Sequence, residues 1–331
     1  MSVSEEDGRR EEDPFWEIAL NFDGDVDHRL GNSGFGDSDS NSDPEEDYVG
    51  GGKAKTYHLP KTSISLQLAP LASDDGVWSP VGDHAWYSSA LLTCLILQGT
   101  TMTNITKTAE ENKRVSLDSG IVLNHCGAEK ELRILELGSG AIGLPGVAFA
   151  ALLSRQTERF PSWTVTLTDN DKSLLRQLQA NVRTNMDSKQ IMLDGSKSSC
   201  INVEFLDWDV KPRNSETNDQ GGNRHDRLLS GDIVIGSELC YTKETADALV
   251  KVLLALLERN PAVKIYIVQV TDRYGWKEIV IPELESRQTV KIETIPLTYE
   301  IHEAASTMIP MGGALDRYAF GAFCISNVLS R

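Results

Sequence analysis

The stretch ELGSGAIGLPG, from Glu136 to Gly146, has the residue types from which a cofactor-binding turn can be built. Its glycines follow the pattern GxGxxG, at Gly138, Gly140 and Gly143, directly after the apolar run LRILEL. Glycines let the backbone approach a ligand closely, and a helix starting after them would offer free N–H groups to that ligand. The pattern alone is shared by loops that bind dinucleotides and loops that bind S-adenosylmethionine.

Two acids bear on the choice between these cofactors. The charge of Glu136 would repel a pyrophosphate but suits the sulfonium and amino groups of S-adenosylmethionine; alternatively, this carboxylate only caps local backbone N–H groups. Asp169 ends the next predicted strand, WTVTLTD, where it can accept both hydroxyls of an adenosyl ribose or cap the following helix. Asp169 therefore predicts a ribose in either cofactor, whereas Glu136 favours S-adenosylmethionine.

Two further groups follow predicted strands and indicate the other ends of the site. In FLDWD, Asp207 can accept a hydrogen bond from an exocyclic amine and Trp208 offers a flat face to a purine, which predicts an adenine slot. In IVIGSELCY, Ser237 would lie beside the cofactor, while Glu238 and Tyr241 are three residues apart and can face one acceptor. The alternatives are a Trp that covers the sheet edge, a core tyrosine and a capping acid.

The elements that must position these residues alternate along the chain. Strand-like and helix-like runs from LRILEL to VKIYIVQV predict a parallel sheet with helices on both faces. VKIETIPLT and RYAFGAFCIS predict an antiparallel edge hairpin with a short connection. Upstream, TSISLQLAP predicts a strand, and DHAWYSSALLTCLILQG predicts a helix from Asp83 to Gly99, on which Trp86 shares a core-like face with Ala90 and Leu91.

The first 50 residues hold 16 acids and 3 arginines, so most of the net charge of −17 belongs to this segment. Their composition predicts a disordered acidic tail over residues 1–55, which either keeps the protein in solution or steers basic partners to the site. The apolar island DPFWEIALNF within it is either local clustering or a docking motif. A polar insertion is predicted between Asp209 and Arg227.

Composition also excludes several classes. The near-neutral body argues against a general nucleic-acid-binding surface, and no apolar run has the roughly 20 residues of a membrane span. The five cysteines form no CxxC pair, so neither a metal site nor a disulfide framework is expected: Cys94, Cys126, Cys200, Cys240 and Cys324. We expect a cytoplasmic protein, with the nucleus as a second compartment, and a monomer.

In this order, the motifs WYSSA, LELGSG, LTD, LDWD and SELCY resemble the seven-strand (class I) protein lysine methyltransferases of the methyltransferase-like group. Within it, the chain is similar to the elongation factor 2 lysine methyltransferases and the chaperone-directed ones. The resemblance covers residues 60–331. It implies a Rossmann-like, doubly wound seven-stranded sheet, with residues 56–130 as a strand and helix lid and 131–331 as the core.

The resemblance also implies a role for each matching position. Trp86 would help to close the pocket, and Trp208 would lie beside the adenine. Ser237 would be the small residue next to the cofactor, and Glu238 and Tyr241 stand where the group has Asp-x-x-Tyr. The remaining matches are the backbone turn and the ribose acid: Gly138, Ser139, Gly140 and Asp169.

The predicted function is methyl transfer from S-adenosylmethionine to a lysine of a non-histone protein, such as a translation elongation factor or a chaperone. Three alternatives stay open at this point. They are a different acceptor (histidine, arginine or a small molecule), a non-catalytic interaction protein on the same fold, and a nicotinamide-dependent oxidoreductase.

Overall fold

The chain folds around a seven-stranded mixed sheet, preceded by a small two-stranded unit. The computed structural model describes residues 55–69, 85–102, 131–193, 199–209, 228–310 and 318–328. The strands are β1 Thr56–His58, β2 Ser65–Gln67, β3 Leu132–Leu137, β4 Trp163–Asp169, β5 Cys200–Phe205, β6 Ile233–Ser237, β7 Lys264–Val270, β8 Val290–Ile295 and β9 Phe320–Asn327. The helices are α1 Tyr87–Met102, α2 Leu144–Leu153, α3 Lys172–Asp187, α4 Lys243–Arg259, α5 Ile281–Glu285 and α6 Tyr299–Met308, with a π-helical turn at Trp276–Val280.

The order of the large sheet is β5-β4-β3-β6-β7-β9-β8. The strands from β5 to β7 are parallel, and β9 is antiparallel to both β7 and β8. Apolar runs such as RILEL and IVIG form the central strands because parallel strands are covered by helices on both faces. This confirms the Rossmann-like, seven-stranded α/β fold expected from the sequence.

The order of the strands in the sheet reverses between β3 and β6, and this point locates the candidate site. β4 lies on one side of β3 and β6 on the other, so the connections that leave these strands diverge. In open sheets of this kind, ligands bind at the carboxyl ends of the two strands that flank such a switch point. The loop after Leu137 and the turn after Ser237 lie there.

Local capping explains where two of the flanking helices begin. Asp171 caps α3 by accepting from the N–H groups of Ser173 at 2.7 Å and Leu174 at 3.4 Å. Thr242 and Thr245 form a reciprocal capping box at the start of α4. Asp171 thus supplies the cap that was the alternative role of Asp169.

The carboxyl-terminal end of the sheet differs from the sequence-based expectation. β8 and β9 are antiparallel neighbours, but their connection contains the ten-residue helix α6 and is not short. β8 is the edge strand, whereas β9 lies between β7 and β8. Helix α6 buries Ile301, Ala305 and Met308, which share one helical face.

The amino-terminal elements also differ in extent. The strand expected over TSISLQLAP is confined to Ser65–Gln67 and pairs with β1, which the sequence did not predict. The helix expected from Asp83 to Gly99 begins later, at Tyr87, and continues to Met102. The proposed cap Asp83, the tail over residues 1–54, the insertion 210–227 and Cys126 lie outside the described residues. Among the helices of the described ranges, none is long and apolar enough to cross a bilayer.

Candidate functional site

The carboxylate of Glu136, at the end of β3, faces into the chain. It is 2% exposed, and its Oε2 accepts from the N–H of Gly146 at 3.2 Å and interacts with the hydroxyl of Ser139. Gly146 lies in the first turn of α2, whose N-cap Gly143 has no side chain to cap it. Glu136 therefore caps this helix from a neighbouring strand, by accepting from one of the N–H groups that a first helical turn leaves without an intrahelical partner.

Burial raises the pKa of Glu136 to about 8 from an ordinary value of 4.5. The hydrogen bonds from Ser139 and Gly146 act against this shift, and the nearby charge of Asp169 adds to it. Glu136 thus caps a backbone N–H group, which was the alternative to a role at the cofactor. A contact between Glu136 and a cofactor remains a prediction.

Close packing around Gly146 leads to a stability prediction. A Cβ atom at this position would lie 2.2 Å from Cδ2 of Leu167 and 2.4 Å from Oε2 of Glu136. We expect Gly146→Ala to lower the free energy of unfolding by about 1–3 kcal/mol, the usual cost of overpacking a core. Urea unfolding followed by circular dichroism measures it, and Ala148→Gly on the same helix is the control for helix propensity. An unchanged stability of Gly146→Ala would show that this contact is easily relieved.

The glycine loop adopts backbone conformations that require glycine. Gly138 and Gly140 have φ of 60° and 59°, in the left-handed region that side chains disfavour. The N–H of Gly140 donates to Oδ2 of Asp169 at 3.0 Å, and the N–H of Asp171 donates to Oδ1 at 3.0 Å. Burial raises the pKa of Asp169, whereas these backbone donors lower it. Asp169 is therefore held beside the loop, at the place where a ribose was predicted.

Ser139 joins the loop to the end of β4. Its N–H donates to the carbonyl oxygen of Thr168 at 2.8 Å, and its hydroxyl accepts from the N–H of Thr168 at 3.1 Å. The hydroxyl of Thr168 donates to the carbonyl oxygen of Glu136 at 2.6 Å. These bonds fix the glycine loop relative to β3 and β4 without the help of a ligand.

The segment after β5 reaches the same loop. Trp208 is half-buried, and a Cβ atom at Gly138 would lie 3.9 Å from its ring. The carboxylate of Asp207 accepts from the N–H of Asp209 at 3.0 Å. Trp208 and the glycine loop are thus brought together as expected, and their contact with an adenine remains a prediction.

The turn after β6 carries Glu238, whose backbone has a φ of 51°. This left-handed conformation costs a non-glycine residue on the order of 1–2 kcal/mol. Glu238 is 7% exposed as a whole residue, and its carboxylate accepts from the N–H of Val270 at 2.9 Å and from Nε2 of Gln269 at 3.2 Å. Ser88 donates to its Oε1, and Arg273 forms an ion pair with its Oε2 at 3.0 Å.

Three of these partners were missed by the sequence analysis. Ser88 is in the first turn of α1, Gln269 is in β7, and Arg273 follows that strand. Gln269 is fully buried, accepts from the N–H of Leu239 and donates to the carbonyl oxygen of Cys240. A glutamine within the apolar run KIYIVQV was the available signal, because a buried polar side chain needs partners.

Leu239 and Tyr241 face different ways from this turn. Leu239 is buried, and its Cδ2 would lie 2.8 Å from a Cβ at Gly138, so it packs the turn against the glycine loop. Tyr241 is 39% exposed. Partial burial raises the pKa of Tyr241, and the charge of Asp169 raises it further. Tyr241 thus lies within electrostatic reach of the predicted ribose acid.

Trp86 immediately precedes α1 and is half-buried. Its carbonyl oxygen accepts from the N–H of Ser89 at 2.9 Å and from the hydroxyl of Ser89 at 2.5 Å. Ser237 ends β6 beside Val268 of β7. In sequence, Trp86 is close to Ser88 and Ser237 is next to Glu238, the two residues that are in contact. The roles of Trp86 and Ser237 at the cofactor stay predictions.

A family model described as lysine methyltransferase matches residues 69–279, well over half of the chain. A search of curated proteins finds no significant match.

Solved methyltransferase structures show distant similarity. One is a precorrin-6y C5,15-methyltransferase from Geobacter metallireducens, with 11% identity and a TM-score of 0.31 over 60% of this chain and 79% of that one. TrmN from Thermus thermophilus has 12% identity and a TM-score of 0.34 over 61% of this chain and 46% of its own. A chain of a fibrillarin/Nop5p complex has 13% identity and a TM-score of 0.34 over 65% of this chain and 81% of its own.

Proposed function

Because the chain belongs to the lysine methyltransferase family, as its motifs indicated, we propose that it transfers a methyl group from S-adenosylmethionine to the side-chain amine of a lysine in a protein. The observation that carries this proposal is the contact of the glycine loop with the turn of Tyr241. Leu239, in the turn that leads to Tyr241, packs against Gly138. We therefore infer that a cofactor-type loop and a partly exposed tyrosine border one crevice at the switch point.

The residues at this crevice suit S-adenosylmethionine. The loop of Gly138 and Gly140 presents backbone without side chains, and Asp169 lies against it with a carboxylate that can accept ribose hydroxyls. Trp208 borders Gly138 with a flat apolar face for the adenine. When bound, S-adenosylmethionine supplies the activated methyl group and the leaving group.

The task left to the protein is to orient and desolvate the acceptor. A lysine amine has an ordinary pKa of about 10.4 and must lose a proton before it can attack. A partly dry channel disfavours the charged form of the amine. The Tyr241 hydroxyl, at the mouth of the crevice, sets the direction of approach of the amine, and the proton leaves to solvent.

Glu238 supports this arrangement through the turn. The motif predicts that its carboxylate attracts the incoming ammonium, but both oxygens already accept from donors within the chain. Direct contact would require one of these donors to give way. We therefore assign Glu238 a positioning role: it holds the turn that orients Tyr241, three residues later.

The substrate is proposed to be a protein, with translation elongation factors and chaperones as the first classes to test. The acceptor lysine of such a protein would enter the site past Tyr241, which is partly exposed. Incubation of the full chain with labelled S-adenosylmethionine and cell extract, followed by mass spectrometry of the labelled band, identifies the acceptor. Labelled histidine or arginine, or no labelled protein, would contradict the lysine assignment. Calorimetric titration with S-adenosylmethionine and with a nicotinamide dinucleotide distinguishes a methyltransferase from the oxidoreductase alternative, because each would bind only its own cofactor.

Tyr241→Phe tests the acceptor side of the site. We expect a loss of methylation on the order of a hundredfold, the scale expected from misplacing a reacting group. Binding of S-adenosylmethionine, measured by calorimetry, should be unchanged, because the hydroxyl is placed at the acceptor. Tyr274→Phe is a matched control, since Tyr274 is also exposed and follows β7. Wild-type turnover in Tyr241→Phe would remove Tyr241 from the mechanism.

A further inference from the structure

The segment Lys55–Ala69, called the arm here, docks on the methyltransferase core through helix α3. It contains the antiparallel pair of β1 and β2, and it buries four large apolar side chains: Tyr57, Leu59, Ile64 and Leu66. Beyond this apolar contact, the backbone of β2 is bonded by side-chain amides of the core. The edge of β2 is therefore covered by a helix rather than by another strand.

Two asparagines one helical turn apart make these bonds. Oδ1 of Asn185 accepts from the N–H of Gln67 at 2.8 Å, and Oδ1 of Asn181 accepts from the N–H of Ala69 at 2.8 Å. Four residues of helix rise about 6 Å and two residues of strand about 6.6 Å, so the two spacings match. The same series continues with Gln190, whose Oε1 accepts from the N–H of Ser65 at 3.0 Å.

Asn181 also bonds to the glycine loop. Its Nδ2 donates to the carbonyl oxygen of Ala141 at 2.8 Å, and Ala141 lies between Gly140 and Gly143. Asn181 and Ala141 are each 1% exposed, so no solvent competes for these groups. A single buried amide thus accepts from the arm with one atom and donates to the loop with the other.

Asn185 differs from Asn181 in this one respect. Its Nδ2 donates back to the carbonyl oxygen of Gln67 at 2.7 Å and to that of Asn181 at 2.8 Å. It is fully buried and holds the arm as firmly, but the bonds described for it do not reach the loop. The pair therefore offers a comparison between holding the arm and connecting the arm to the loop.

We propose that Asn181 is a positioning residue that couples docking of the arm to the geometry of the cofactor loop. The proposal rests on the function proposed above in one respect, that the loop binds S-adenosylmethionine. With the arm docked, the Asn181 amide is oriented to hold the Ala141 carbonyl, and the loop is ordered before the cofactor arrives. With the arm released, that amide loses its anchor, and cofactor binding must order the loop. Coupling between two sites is reciprocal, so a bound cofactor also holds the arm more tightly.

Asn181→Asp separates the two bonds. When ionised, the aspartate carboxylate still accepts from the N–H of Ala69 but cannot donate to the carbonyl of Ala141, and an unpaired buried acceptor costs about 1–3 kcal/mol. Burial favours the protonated carboxyl, which can donate, so the variant is measured at about pH 9, where the carboxylate is ionised. We expect the dissociation constant for S-adenosylmethionine to rise about tenfold, which corresponds to roughly 1.4 kcal/mol. Asn185→Asp is the matched control and should change this constant by less than a factor of about three, since a neutral hydrogen bond contributes little when its loss leaves the loop intact.

Hydrogen exchange gives a second readout that needs no cofactor. Without ligand, the peptide containing Ala141 should exchange faster in Asn181→Asp than in wild type, and at the wild-type rate in Asn185→Asp. On addition of S-adenosylmethionine to wild type, the amides of Gln67 and Ala69 should become more protected. In Asn181→Asp this added protection of the arm should be lost.

Ala69→Pro provides a variant that leaves α3 intact and serves if Asn181→Asp does not fold. It removes the N–H that anchors Asn181 without changing any residue of α3, and it should raise the exchange rate of the Ala141 peptide. Equal exchange of that peptide in wild type, Asn181→Asp and Ala69→Pro would overturn the coupling. If wild type fails to bind S-adenosylmethionine, the proposed function is contradicted, and the exchange rates without ligand still decide whether arm and loop are coupled.

Discussion

Arg273→Met is expected to lower the free energy of unfolding by about 3–5 kcal/mol, because it removes an ion partner of a buried carboxylate. Nη1 of Arg273 lies 3.0 Å from Oε2 of Glu238, and the two side chains are 10% and 3% exposed. Among the described residues, the other donors to this carboxylate, from Ser88, Gln269 and Val270, are neutral and do not balance its charge. Urea unfolding at constant pH measures the loss.

A double-mutant cycle assigns the loss to the pair. Glu238→Gln combined with Arg273→Met removes both charges, so the double variant should be more stable than Arg273→Met alone. Arg133→Met is the control, because its ion pair with Asp232 at 3.3 Å is 38% exposed on the arginine side. The loss from that exposed pair should be at most about 1 kcal/mol. Similar losses for Arg133→Met and Arg273→Met would contradict a special role of the buried pair.

The same pair should affect catalysis through Tyr241. Arg273 and Gln269 hold the strained turn at Glu238, which is three residues before the proposed acceptor hydroxyl. In the double variant, we expect kcat to fall more than the affinity for S-adenosylmethionine, because the turn is displaced while the glycine loop keeps its bonds to Asp169 and Thr168.

Stability should fall as pH rises from about 4.5 to about 8, and Glu136 is the reason. The folded chain keeps a proton on this carboxyl up to about pH 8, whereas an unfolded chain releases it near the ordinary value of 4.5. Between these values the folded state binds more protons, so the free energy of unfolding decreases by roughly 1 kcal/mol per pH unit. Below pH 4.5 this contribution is fully present, and above pH 8 it is lost. The raised pKa of Asp169 acts in the same direction.

Glu136→Gln isolates this contribution. A glutamine keeps an acceptor for the N–H of Gly146 and has no charge to bury. The decrease in the free energy of unfolding between pH 4.5 and pH 8 should therefore become less steep, by the amount that corresponds to about one bound proton. Glu283→Gln replaces an exposed acid of α5 and should leave the slope unchanged. The measurement is urea unfolding at half-unit pH steps. A wild-type slope that is retained in Glu136→Gln would show that another group binds the proton.

The sequence was sufficient for the main elements of the fold where periodicity was strong. Apolar runs such as RILEL and IVIG became central strands, and the amphipathic pattern of α4 became a helix of seventeen residues. Helix α6 was missed because its apolar face is only Ile301, Ala305 and Met308 in an otherwise polar stretch. β1 was missed because three residues carry no periodic signal, and its stability depends on packing against distant parts of the chain.

The candidate site shows the same division. By itself, the sequence determined which chemical groups stand at the strand ends, because the carboxyl ends of parallel strands meet at one edge and the glycine loop, Asp169, Trp208 and Tyr241 follow such strands. Only the tertiary structure decided which way the acids face. Glu136 and Glu238 turn inward because Gly146, Ser88 and Arg273 supply donors there, and a buried carboxylate is stable only where such donors converge. Two of those donors are 35 and 150 residues from Glu238, a separation over which local sequence patterns carry no information.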